Sequence, residues 1–295
     1  MAFISKPKLL ISRRKLLKAS ALAMPAILLP KESTAWSHHG TSLAPTFADE
    51  FNSLSLWNGS SGTWATCPWY SSSNGNNATG ELGWMLNSNY APTSSIQSWA
   101  VSNGILSMSA IQAPAPIQPY IDSFAYISPY LDTYNSFSQT YGYFEFRAIT
   151  PKGQGFHYGV WLLDFPPQTP YTEVDVAEGV NNATTQLVTT VWSGANQTGA
   201  TSTSSTATTV DESLAFHIYS VLWTSTTITW YFDRVQVFQT ATPAYLTLPM
   251  YLILDLAVGG SWPGPPDGTT PWPGIMQVDY VRAYSVYAGR KILGI

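Results

Sequence analysis

The run Thr227-Ile-Thr-Trp-Tyr-Phe232-Asp-Arg234-Val-Gln-Val-Phe238 decides the fold class. It is built of β-branched and aromatic residues, the types that fit a pleated surface, on both sides of a polar pair. The reading is two strands with a tight turn at Phe232-Asp233-Arg234-Val235. The same grammar extends outward in both directions. Tyr141–Arg147, Gly159–Leu163, Leu187–Trp192, Ile218–Trp223, Tyr251–Leu256 and Gln277–Tyr284 all read as short strands punctuated by Gly, Pro, Asn and Ser. Two stretches read as loops, the Asn/Gly/Ser-rich Ser71–Gly80 and the Thr/Ser/Ala-rich Gly194–Thr209. The body shows no 3.6-residue periodicity with caps and no repeat at a fixed period, which argues against helical folds and against a propeller. Many short strands in one body imply an all-β sandwich or jelly roll of two antiparallel sheets.

Length and charge narrow the rest. The chain has 295 residues, 45% hydrophobic, and only 10% charged, enough to bury a core in one large domain. Seven of its thirteen Lys and Arg lie in the first 31 residues. From Trp36 onward there are six basic and sixteen acidic residues, a net of −10. A body so acidic repels nucleic acid and anionic membranes. A single cysteine, Cys67, excludes an intrachain disulfide framework, and no apolar run is long enough to span a bilayer. Ser12-Arg-Arg-Lys-Leu-Leu-Lys18 followed by the apolar stretch Ala19–Leu29, with Ser33-Thr-Ala35 as a small-residue cleavage site, reads as a twin-arginine signal peptide over residues 1–35. Residues 36–295 then form one domain with its core at about 46–285, exported to the periplasm or secreted from a bacterium. It is expected to be a monomer, with no membrane contact after signal removal.

Glu173-Val-Asp-Val-Ala-Glu178 places three acids in six residues on a strand pattern. Side chains 173 and 175 share a face because a strand alternates, whereas Glu178 is one residue out of phase. A β-bulge near Ala177 would bring Glu178 to the same face. Two glutamates at the ends of such a row can approach the ~5–5.5 Å carboxyl separation of a retaining glycosidase pair. Crowded carboxylates cannot all ionise cheaply, so one is held as an anion and another as an acid. A solvated acidic strand or a calcium-binding edge is the other reading of the spacing.

Beyond spacing, Glu173–Glu178 resembles the E-x-D-x-x-E signature of family 16 glycoside hydrolases in the bulged form of their laminarinase-like branch. Ser136–Arg147, Pro151–Gly155, Tyr251–Gly264, Val278–Tyr284 and Phe47–Phe51 resemble further strands of that family in the same order, so the likeness runs from about Thr46 to Tyr284. The resemblance implies a concanavalin-like β-jelly roll with a concave substrate cleft, and a retaining endo-hydrolase acting on polysaccharide, most readily β-1,3- or β-1,3/1,4-glucan. It implies Glu173 as nucleophile, Glu178 as acid/base and Asp175 as the residue orienting Glu173. Trp262 and Trp161 match sugar-facing family positions. Trp192 stands near where a family histidine is replaced, and His157 sits where the family has a tryptophan. Trp64, Trp69 and Trp84 would shape one end of the cleft, while Trp223 and Trp230 read as core. No cofactor is required. Asp279 matches a structural Ca²⁺ position, with backbone carbonyls near Asp49 or Glu50, although an exposed closing-strand aspartate reads equally well. A transglycosylase, an exopolysaccharide-processing glycanase and a non-catalytic lectin of the same architecture are the alternatives.

Overall fold

The computed structural model describes residues 43–77, 80–165 and 169–295. The signal-peptide reading over residues 1–35 therefore lies outside the described residues. The early strands are β1 (Phe47–Asp49), β2 (Gly75–Asn76), β3 (Gly83–Leu86), β4 (Trp99–Ser102), β5 (Ile105–Gln112), β6 (Tyr126–Ile127) and β7 (Tyr130–Asp132). Longer strands follow: β8 (Gly142–Ile149), β9 (Phe156–Asp164), β10 (Tyr171–Val180), β11 (Gln186–Gly194) and β12 (Thr201–Thr208). The last are β13 (His217–Trp223), β14 (Thr227–Phe232), β15 (Val235–Ala241), β16 (Met250–Val258) and β17 (Gly274–Tyr284), after which α1 (Val286–Leu293) closes the described chain.

These strands make two sheets. One has eleven strands in the order β15-β14-β13-β8-β17-β5-β6-β3-β2, with β1 added to β17 and β4 to β5. The other has six, in the order β12-β11-β10-β9-β16-β7. Among the described strand pairs all are antiparallel except β3 with β6. Alternating residues of both sheets, among them Phe144, Phe146, Leu162, Val174, Val221, Trp223, Trp230, Leu252 and Val278, form one continuous buried core between the layers. The two-sheet sandwich is the expected one, and the architecture is that of a jelly roll.

The opening hairpin is formed as read, with Phe232 opposite Val235. Asp233 and Arg234 both take positive φ, 48° and 64°, the backbone of a turn whose twist matches that of the flanking strands. Asp233 tolerates this because its carboxylate accepts the Ile218 N–H at 2.8 Å and lies 2.8 Å from His217 Nδ1.

One expectation is corrected. Thr201–Thr208 is a strand, paired residue by residue with β11, not part of a loop. It is the edge strand of its sheet and largely solvated on both faces, so it needs β-branched threonines but no apolar alternation. Past residue 285 the chain continues into a capped helix. Ser285 accepts the Ala288 N–H, and Gly294 closes the end in the left-handed conformation. This helix covers Tyr143, Leu222, Tyr231 and Tyr284 on the outer face of the larger sheet. Among the described residues no helix is long and apolar enough to cross a membrane.

Candidate active site

The outer face of the six-stranded sheet is organised in rows. Because directly opposed residues point the same way, Glu173 shares its row with Trp192, Leu163 and Tyr251. Asp175 lies in the next, with Thr190, Trp161, Ile253 and Asp132. Between Asp175 and Glu178 the register slips by one residue against both neighbours: three steps on β10 match two on β11, and Asp175 to Ala177 matches one step on β9. This is the expected bulge. It returns Glu178 to the same outer face opposite Val188 and Gly159, in a row that continues to Asp255 and Tyr130. The bulged segment is held from below. Trp230, in the core on the opposite sheet, donates its indole N–H to the Asp175 carbonyl at 2.9 Å.

All three acids are buried, with Glu173 1%, Asp175 0% and Glu178 5% exposed. The Tyr171 hydroxyl, two residues back on the same face, donates to Glu173 Oε2. His157 Nε2 lies 3.3 Å from Glu178 Oε1, and its Nδ1 is 3.9 Å from Glu81 Oε1. A fourth carboxylate, Asp255, accepts the Trp161 indole N–H at 2.9 Å. It leans over Gly159, where a Cβ would stand 2.5 Å from Asp255 Oδ1, so only glycine leaves room for it. Burial and like-charge crowding on one face are the conditions that divide carboxyls into an acid and a base.

The expected tryptophans divide. Trp262 is half-buried, its ring edge-to-face on His157 at 4.8 Å between centroids. Trp192 flanks Glu173 and is partly exposed. Trp161 is 4% exposed and spends its N–H on Asp255, so it buttresses the site from within. Trp64 is a core residue bonded to Asp49 at 2.8 Å, and Trp84 is buried with its N–H on Asn74 O, so neither shapes the cleft by its surface. Trp69 is 37% exposed and stacks on Tyr134, which packs in turn on Tyr251 in the Glu173 row. Trp223 and Trp230 lie in the core as expected. His157 is no surface residue; it is 2% exposed.

The side chains at the positions named for a structural calcium are engaged with protein partners. Asp279 is ion-paired with Arg147, and Glu50 with Arg282 through two bonds of 2.7 Å. Asp49 accepts from Phe51 N–H and Trp64 Nε1. Among the described residues no group of three or more His, Cys, Asp or Glu side chains gathers to hold a metal. Sequence reading missed Tyr171, Asp255, Glu81 and the Trp230 bond. Tyr171 was within reach, since it alternates in phase with Glu173, and Asp255 is a lone acid inside the apolar run Tyr251–Val258. Glu81 comes from a loop, and only the fold brings it near His157.

Comparison with known proteins agrees with this geometry. The family profile described as Glycosyl hydrolases family 16 matches residues 87–282. Two endo-1,3-1,4-beta-glycanases of Rhizobium meliloti (strain 1021), ExsH and EglC, are each 40% identical, covering 85% and 83% of this chain. The chain spans about half the length of these relatives, 53% and 52%. The laminarinase catalytic domain of Thermotoga maritima superposes with a TM-score of 0.65 at 25% identity, over 82% of this chain and 98% of that one. The bulged carboxylate strand, the two-sheet sandwich around it and the profile match over most of the domain lead to one assignment: the chain belongs to glycosyl hydrolase family 16.

Proposed function

We propose that the protein is a retaining endo-glycoside hydrolase that cleaves β-glycosidic bonds within a polysaccharide, with β-1,3- or mixed β-1,3/1,4-glucan as substrate. The bulge that returns Glu178 to the face of Glu173 and Asp175 carries this reading. Glu173, steadied by Tyr171, attacks the anomeric carbon and forms a glycosyl-enzyme while Glu178 protonates the departing oxygen. Glu178, now ionised, takes a proton from water, which displaces Glu173 and restores both groups. Asp175 stands in the row between them and orients Glu173. Trp262, Trp192 and Trp69 offer rings to the apolar faces of sugars. The fold neighbours named as laminarinases and the relatives named as endo-glycanases support this substrate class.

The test is reducing-end release from laminarin, lichenan and barley β-glucan. Glu173→Gln and Glu178→Gln should each lower turnover by at least about 10²–10⁴-fold while the variants stay folded. With an aryl β-glucoside donor and azide, Glu178→Ala should give the β-glycosyl azide and Glu173→Ala the α-anomer, since only the first still forms the covalent intermediate. Near-normal turnover by Glu173→Gln would end the nucleophile assignment. A second reading, processing of a bacterial exopolysaccharide, is favoured by His157 standing where the family has a sugar-facing tryptophan. Cleavage of such a polymer with silence on the three glucans would select it. Residues 12–18 support export by the twin-arginine route. A Lys pair at positions 13 and 14 should strand the protein in the cytoplasm on fractionation, and unchanged export would refute the route.

A further inference from the structure

His157 is held between two buried carboxyls. It lies on β9 opposite Val180 and Ala257, on the same face as Glu178 and two residues from Gly159. Its Nε2 is 3.3 Å from Glu178 Oε1 and its Nδ1 is 3.9 Å from Glu81 Oε1, with all three residues under 10% exposed. Trp262 packs edge-to-face on the ring. Glu81 is held by bonds on either side of its side chain. Leu82 N–H bonds Val258 O at 2.7 Å, and Asn77 Nδ2 bonds Glu81 O at 2.7 Å. Leu82 sits so tightly over Gly259 that a Cβ there would meet it at 2.6 Å.

We propose that His157, backed by Glu81, is a positioning residue that sets the proton affinity and orientation of Glu178. The inference rests on the acid/base role given to Glu178 above. Glu81 on the Nδ1 side stabilises the imidazolium, whose positive charge then lies against Glu178. An opposite charge at this distance favours the ionised carboxylate, by about 1–3 pH units for a pair in close contact. Glu178 must act as an acid in one half of the cycle and as a base in the other. A cation that steadies its anion serves the second half and keeps it from being trapped as a permanent acid in a dry, acidic wall. A tryptophan at this position could stack on sugar but could not do this.

Groups from three elements face the imidazole. β10 contributes Glu178, the loop before β3 contributes Glu81, and the loop after β16 contributes the uncharged Trp262. On β16, Asp255 stands two residues along from Ala257 and is bonded to Trp161. This gives the mechanism a sign that a direct field cannot copy. Removing the Glu81 charge acts through His157 by weakening the imidazolium, and so raises the pKa of Glu178. Acting directly, loss of a nearby negative charge would lower it.

The experiment is a carbon-13 NMR titration of glutamate carboxyls in the uniformly Glu-labelled protein, with Glu178→Gln used to assign the Glu178 signal. His157→Gln should raise the Glu178 pKa by about one unit or more. Glu81→Gln, isosteric and least disruptive, should raise it too, by less. In the His157→Gln background the same Glu81→Gln change should reverse sign. A Glu178 pKa unmoved by His157→Gln, or lowered by Glu81→Gln in the otherwise native chain, overturns the proposal. The readout needs no substrate, so failure to cleave any glucan would sink the functional reading alone. Where turnover is measurable, the alkaline limb of kcat/KM on barley β-glucan should move with the NMR value. A merely structural role would lower the rate without moving that limb.

Discussion

Glu145 on the eleven-stranded sheet and Glu173 on the six-stranded sheet are equally hidden, each 1% exposed, yet their surroundings are opposite. Glu145 accepts two bonds from Arg234, at 3.1 and 3.2 Å, and further bonds from Tyr143 and Tyr280 at 2.6 and 2.8 Å. Its charge is neutralised, and its oxygens are satisfied. Glu173 belongs to a sheet whose described strands carry six carboxylates (Asp132, Asp164, Glu173, Asp175, Glu178 and Asp255), one histidine, and no Lys or Arg. Every one of those six is at most 5% exposed. A buried acid with an arginine is cement. Buried acids in a sheet with no Lys or Arg store unfavourable electrostatics, which a proton or a neighbouring imidazolium relieves.

Swapping the same substitution between the two sheets tests that contrast most sharply. Glu173→Gln should abolish glucan turnover, a loss of three or more orders of magnitude, with a melting temperature equal to or above that of the parent. Glu145→Ala should do the reverse. It leaves Arg234 and the two tyrosines without their acceptor and should cost about 3 kcal/mol in urea unfolding, at the low end for a broken buried pair because Arg234 keeps part of its side chain in water. Its kcat per folded molecule should be unchanged. If both variants lost stability equally, the contrast between the sheets would be wrong.

Asp132 supplies a pH axis for the same comparison. Burial, opposed by bonds from the Tyr134 N–H and the Tyr130 hydroxyl, pushes its carboxyl from 3.8 up to about 7. The folded state thus holds this proton more tightly than the unfolded chain does. The resulting stabilisation is complete below about pH 4 and is lost as pH rises through about 7. Asp132→Asn, which cannot ionise, should match the parent near pH 4. It should exceed the parent at pH 8 by at most about 4 kcal/mol, read from urea midpoints across that range. Parallel curves for parent and variant would show that Asp132 does not titrate in this window. The smallest effect belongs to the outer face. Ser285→Ala removes the helix cap and should cost about 1 kcal/mol with no change in activity.

The sequence showed the larger features well because they depend on short-range pattern. β14 was read to the residue, and the turn after it followed from two polar residues between apolar runs. The bulge was also legible, since three acids of mixed phase can share a face in no other way. What escaped reading depends on neighbours distant in the chain. The strand Thr201–Thr208 has no buried face to impose alternation. The closing helix is only eight residues long, and its stability comes from packing on Tyr143 and Leu222. Trp64 and Trp84 have the same composition as a sugar platform, and only their positions inside the sandwich show them as core. The ion pair of Arg147 with Asp279 joins residues 132 apart in sequence.

The bond from Trp230 to the Asp175 carbonyl has a consequence for how activity is gained and lost. A bulge disturbs the ladder of its own sheet, and here the far layer supplies a bond to the bulged segment. The spacing of the acids is therefore written partly in the other sheet, on a strand next to its outer edge. A six-stranded fragment, however well paired, would lack the clamp that fixes the slip. Catalytic competence should arrive only when the two layers dock, and heating should extinguish it at the moment they part. On this view the sandwich is the smallest unit that can hold the three acids in line, which makes the active site a property of the interlayer seam as much as of the cleft.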